Sequence, residues 1–168
     1  MPTFVKHVLP AAVLALTALT AAPGNAFATP APDATHLGLT WANLEQRADI
    51  VHVGRDGQSN PYLGDTAPDA QLPVLCILQD NRPAPAGIPT TGFHAWARGE
   101  VRATAPTPGS DLTSRADADA ICSAAFGDGF RMAEFHDGNG WSFWASGTLP
   151  TDTRFWTAIN DQRANPWD

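Results

Sequence analysis

The densest grouping of reactive side chains in this chain is Glu134-Phe135-His136-Asp137-Gly138-Asn139-Gly140. A carboxylate, an imidazole and a second carboxylate fall in one stretch whose glycines and Asn favour a turn. Such a set could hold a metal, bind a polar ligand or exchange protons with a substrate. Calcium needs an ordered series of oxygen ligands, and Asp137-Gly138-Asn139 lacks the distal acidic residue that closes an EF-hand loop. A His beside an Asp is most often a hydrogen-bonded pair in a turn, and that structural role is the preferred expectation. Trp141 and Trp144 follow at once; exposed indoles would stack on sugar rings, whereas buried ones would serve the core. Glu134, His136, Asp137, Trp141 and Trp144 are therefore the candidate binding residues. Asp117 and Asp119 form a D-x-D, but at a helix start they more simply complement the helix dipole. The chain has no G-x-S-x-G elbow, H-E-x-x-H, P-loop or G-x-G-x-x-G. No catalytic residue, metal site or cofactor is assigned, and an enzyme is not the first expectation.

The elements that must position these residues can be read from periodicity and breakers. Trp41, Leu44 and Ala48 recur at helical spacing behind Thr40 as a possible N-cap, and Ile50-Val51-His52-Val53 is β-like up to Gly54. Turn signals at Asp56-Gly57, Asn60-Pro61, Gly64-Asp65 and Ala67-Pro68 make Arg55 to Leu72 a loop. Val74 to Leu78 is a continuous apolar run, a buried strand. After a connection carrying Pro83, Pro85 and Pro89, Trp96 to Ala103 suggests a partly exposed strand ending at Pro106. The clearest helix starts at the N-cap Ser114 with Asp117 three residues on, presents Ala116, Ala120, Ile121 and Ala124 as its apolar face, and stops at Gly127. Short β-like pieces follow from Phe130 to Glu134, Trp141 to Ala145 and Arg154 to Ile159. Nine Trp or Phe residues lie between Phe126 and Trp167, which places most of the aromatic core in the final third. The expected fold class is α+β: a small disulfide-stapled domain with one main helix and a short, mostly antiparallel sheet.

Lys6 precedes an uncharged apolar stretch from Val8 to Ala22, then Pro23-Gly24-Asn25 and the A-x-A site Ala26-Phe27-Ala28. That order is the signature of a cleavable secretory signal peptide over residues 1–28. An extended leader to residue 36 and one domain over 37–168, with its core at about 73–168, should follow, and the stretch is too short to span a bilayer. Beyond the leader, 17 acidic residues face nine arginines, a formal charge of about −8. Nucleic acid is excluded as an electrostatic partner, and the scattered arginines offer no patch for anionic lipid. No membrane span remains after cleavage, so a secreted or periplasmic location with an unknown extracellular or envelope ligand is expected. In an oxidising compartment Cys76 and Cys122, the only two cysteines, should pair; two buried thiols are the alternative.

The run from Ala116 to Glu134, an alanine-rich helix followed by Cys, Gly and Arg-Met-Ala, resembles the first helix and next strand of C-type-lectin-like domains. Phe155-Trp156-Thr157-Ala158-Ile159-Asn160-Asp161 resembles their core strand and its trailing Asn-Asp. The resemblance implies a truncated C-type-lectin-like core; the lectins' E-P-N, Q-P-D and W-N-D elements have no counterpart, so no calcium or sugar ligand is carried over. The same segments resemble short exported bacterial proteins, some labelled as flagellar hook-length control. A true hook-length ruler is a long Gln- and Pro-rich chain, unlike this Trp-rich domain with a leader. The function expected first is an exported binding or interaction domain, its ligand a carbohydrate or another envelope component. The alternatives are a metal-dependent or hydrolytic enzyme using Glu134, His136 and Asp137, and a structural envelope protein without a small ligand.

Overall fold

In a computed structural model, residues 1–3 and 36–168 are described. The expected signal peptide and leader lie outside them, save for Met1–Thr3 and His36. Seven strands and one helix follow in the order β1 (Thr40–Arg47), β2 (Ile50–Gly54), β3 (Gln71–Gln79), β4 (Trp96–Pro108), α1 (Arg115–Phe126), β5 (Arg131–Met132), β6 (Ser142–Ser146) and β7 (Arg154–Trp156).

The expected α+β, truncated C-type-lectin-like arrangement is not what the chain forms. Strands β4, β6, β2, β1, β7 and β3 neighbour one another in that order, and β3 pairs back with β4, which closes a six-stranded barrel. Most pairs are antiparallel, but β4 with β6 and β3 with β7 are parallel. Short β5 adds to β3 through Cys76 and Ile77. The residues after it fill the gap to the end of β7, with Ala133 N donating to Leu75 O and Ala158 N to Ala133 O. Closure removes the free edges that a short open sheet would expose.

Barrel closure follows from alternation. Val51 and Val53 of β2, Leu75 and Ile77 of β3, Phe143 and Ala145 of β6 and Phe155 of β7 share one buried cluster with Trp41. Trp41 packs on Phe143 with centroids 5.5 Å apart and on Phe135 at 5.6 Å. These side chains fill the lumen of a barrel of this strand number. Residues before Pro73 thus belong to the core too, through Leu39, Trp41, Val51 and Val53.

The helix expected over Thr40 to Ala48 is strand β1, with β2 on one edge and β7 on the other. Its helical spacing carries no buried face, because Leu44 is 39% exposed and Ala48 sits in the hairpin turn at φ 49°. Cross-strand pairing on both sides overrides so weak a periodic signal. Strand β4 runs to Pro108, past the expected stop at Pro106.

The outward residues of β3 explain its unbroken apolar run. Val74 and Cys76 lie in a second cluster with Leu112, Phe130, Met132, Trp156 and, from the helix, Ala118 and Cys122. Helix α1 starts at the N-cap Ser114, whose Oγ accepts from Asp117 N at 3.1 Å, and ends at Gly127 with φ 101°. Its packed face is Ala118 and Cys122, while Ala116, Ala120 and Ala124 face solvent. Alanine is too small to decide a helix's orientation; the Cys76–Cys122 disulfide and the apolar neighbours of β3 decide it. Asp119 pairs with Arg115 at 2.9 Å and accepts from Met132 N, so it ties the helix to β5. Among the described residues no helix is long and apolar enough to cross a membrane.

The disulfide closes a loop with a sequence separation of 46 residues. Replacing both cysteines by Ala should lower unfolding stability by about 4 kcal/mol through restored chain entropy. Urea unfolding of oxidised, reduced and Cys76→Ala/Cys122→Ala protein checks this, with the last two expected to coincide.

Candidate functional site

The Glu134–Gly140 stretch leaves the barrel directly after β5, and hydrogen bonds fix its two carboxylates in different directions. Glu134 is buried. Its Oε1 accepts from His136 Nδ1 at 3.0 Å and from Asn160 N at 3.1 Å, and its Oε2 accepts from His136 N at 2.8 Å. Asp137 accepts from both Nη atoms of Arg131, at 2.5 and 3.1 Å, and from Glu134 N at 2.8 Å. Burial of Arg131 opposes its charge, but the Asp137 carboxylate outweighs it and raises the guanidinium's pKa. Both carboxylates are thus spent on protein donors. Among the described residues no group of three His, Cys, Asp or Glu side chains converges to hold a metal.

Only His136 of this trio reaches a cleft. A carboxylate accepts only, so the His136 Nδ1 must carry the proton it shares with Glu134. Its Nε2 lies 3.7 Å from Asp161 Oδ2. Around these two groups is a cavity of about 230 Å³, walled by Tyr62, Phe93, Phe135 and Trp141 and edged by the amides of Asn139 and Gln162. Tyr62 and Phe93 are 59% and 64% exposed. Phe93 rests on Gly140, where a Cβ would come within 3.1 Å of the ring. Tyr62 is held by Asn60, whose Oδ1 accepts from Tyr62 N and Leu63 N.

The loop that carries Tyr62 is anchored by a buried polar network. Arg154 donates to Asp56 Oδ2 at 2.7 Å, to Ser59 Oγ at 2.8 Å and to Thr40 O at 2.9 Å. Asp65 accepts from Asn60 N and from the Thr40 hydroxyl. Burial pushes the Asp56 carboxyl up, and the hydrogen bonds from Arg154 and from the Gln58 and Ser59 amides more than reverse this, so its pKa is lowered.

Of the five candidate residues, the cleft takes His136 and Trp141. Glu134 lies beneath His136, and Asp137 faces Arg131. Trp144 is buried on the barrel's outer face, stacked on His52 at 4.4 Å and covered by the Arg47 guanidinium at 4.5 Å. Sequence inspection misses Tyr62, Phe93, Asp161 and Gln162. The signal for the first two was an isolated aromatic inside a turn-rich loop, which has no reason to be there for the core.

A second polar cluster joins two walls of the cleft. The Ser142 hydroxyl, itself buried, lies 2.7 Å from His52 Nε2 and 2.6 Å from His94 Nδ1. One hydroxyl can donate to one imidazole and accept from the other while both are neutral. His94 follows Phe93 and Ser142 follows Trp141, so the bridge ties both aromatic walls to β2. Burial first, then the neighbouring His94, lowers the His52 pKa; Glu45 opposes this and Arg47 adds to it.

A larger groove of about 590 Å³ runs past Pro73, Arg102, Pro106 and Pro150. It has no aromatic wall, and its Glu100 and Arg102 are paired with each other at 2.6 Å, so the smaller cleft is the stronger site. No protein-family model, curated protein or solved structure matches the chain.

The lowered pKa of His52 has a sign. The unfolded chain takes up a proton near the ordinary value of 6.5, which the folded state resists. Stability from neutral His52 is therefore full above that value and falls as the pH drops below it. The urea midpoint should decrease from about pH 7.5 to about pH 5, and His52→Gln, whose amide can still reach Ser142, should lose less over the same range. Equal losses would remove His52 as the titrating group.

Proposed function

We propose that this chain is an exported binding domain, secreted or periplasmic, whose cleft takes a ring unit of an envelope glycan. The observation that carries this is the pair of exposed aromatic rings, Tyr62 and Phe93, set with Trp141 against His136, Asp161, Asn139 and Gln162 around one small cavity. Aromatic faces match the apolar face of a sugar ring, and amide and carboxylate edges match its hydroxyls. At about 230 Å³ the cavity lies below the range of roughly 300–1,000 Å³ usual for drug-sized ligands, which suits one ring of a longer polymer. The export-type leader and the Cys76–Cys122 bridge both fit an oxidising, extracytoplasmic location. The net charge of −7 argues against nucleic acid.

A second reading, hydrolysis with His136 as general base, is favoured by one observation. Glu134 fixes the His136 Nδ1 proton at 3.0 Å and leaves Nε2 toward the cleft. It requires turnover of a glycan substrate that His136→Ala abolishes.

Binding is tested with immobilised peptidoglycan and chitin-type polymers. Tyr62→Ala and Phe93→Ala should each weaken retention by a factor of roughly 3 to 10 while leaving the unfolding midpoint unchanged. Absence of retention of wild-type protein on every glycan would overturn the proposal.

A further inference from the structure

We infer that the ring held in the cleft carries a free amino group, so that the preferred ligand is a glycan containing unacetylated hexosamine; this rests on the glycan-binding reading above and names its ligand class. The ionisable groups lining the cavity besides Tyr62 are Asp161 and His136, and neither Lys nor Arg lines it. Most carboxylates around the cleft are matched to donors: Asp137 to Arg131, Asp56 to Arg154, Glu134 to His136 and the Asn160 amide. Asp161 differs. Its side chain is 56% exposed, and the His136 Nε2 beside it is 3.7 Å from its Oδ2, beyond hydrogen-bonding distance. A cleft edge of this kind presents a carboxylate to the ligand.

An ammonium group placed there donates a charge-assisted hydrogen bond to the Asp161 carboxylate. Tyr62 and Phe93 add the attraction of their ring faces for a cation. Arg55 stacks over Trp141 with its guanidinium 5.0 Å from the ring centroid, which assigns the amine to the Asp161 end and leaves the Trp141 side to the apolar part of the ring. Asn139 and Gln162 each supply a donor and an acceptor for hydroxyls, which a simple alkylammonium would leave unused. The chain's charge of −7 attracts a cationic polymer at long range. N-acetylation would remove the charge and add bulk where the cavity is small.

The test is calorimetric titration of the disulfide-bonded protein with glucosamine oligosaccharides and with N-acetylglucosamine oligosaccharides of the same length. The glucosamine form should bind about tenfold more tightly. Asp161→Asn should abolish that preference while keeping the affinity for the acetylated form. Asp128→Asn, which removes an exposed charge outside the cleft, should leave the preference intact. Equal loss in both variants would show attraction by net charge alone and overturn the inference. Equal or tighter binding of the acetylated form, still lost in Tyr62→Ala, would overturn the amino-group assignment and leave glycan binding standing. No binding of either oligosaccharide would overturn both.

Discussion

The architecture depends on β4 having a partner on each edge. Its first residues run beside β6, pairing Trp96 with Trp144 and Glu100 with Ser146, and from Gly99 onward it pairs with β3, Gly99 lying opposite Gln79. Arg98, at φ 58°, lies within the register shift between Trp96 and Glu100 where β4 runs beside β6. At Gly99 a Cβ would stand 2.2 Å from Leu78 O, so the approach of the two backbones requires the missing side chain. Bulges of this kind are how a twisted sheet is bent until its edges meet. Without β4 bridging them, β3 and β6 would each keep an open edge and the lumen around Trp41 and Phe143 would not be closed.

Closure also determines what the helix does. Once β3 is part of a barrel wall, its alternate residues face opposite apolar surroundings: Leu75 and Ile77 the lumen, Val74 and Cys76 the outside. The helix is a cover for the second of these, fastened by Cys76–Cys122 and by the Arg115 guanidinium, which reaches Met132 O at 3.0 Å. The chain is therefore a barrel with a helical patch. In a lectin-like domain the helix would instead be a main wall of the core, and the different role follows from the buried strand pairs of β1 and β2.

The cleft is a product of the connections that the barrel leaves between its strands. Tyr62 comes from the β2–β3 loop, Phe93 from the β3–β4 loop, His136 to Trp141 from the β5–β6 turn, and Asp161 and Gln162 from the segment after β7. The first is anchored by the Arg154 network and the second by the Ser142 bridge to His94, while Glu134 holds the last two together through His136 and the Asn160 amide. Glu134 and Asp137, which look like the chemistry, are supports that fix the turn carrying His136. Ser142, His52 and His94 are far apart along the chain and meet at a single hydroxyl because β6 lies between β2 and the start of β4.

What the sequence determined by itself were the local features. The Ser114 cap and the Gly127 stop, the strand at Val74 to Leu78 and the turn-rich loop from Arg55 all depend on neighbours within a few residues, and all are present. The cysteine pairing was legible because only two cysteines exist. The tertiary structure alone decided that Thr40 to Arg47 is a strand, since its two partners lie elsewhere in the chain and outweigh a helical spacing without a buried face. It alone decided which of the candidate side chains are accessible: Trp141 borders a cleft and Trp144 is sealed under Arg47, although their residue types and neighbourhoods in sequence are nearly the same. Trp144 sits on β6 with the parity opposite to Phe143 and Ala145, which fill the lumen, whereas Trp141 lies in the turn before the strand; what covers each is set by barrel closure, a property of all the strands together.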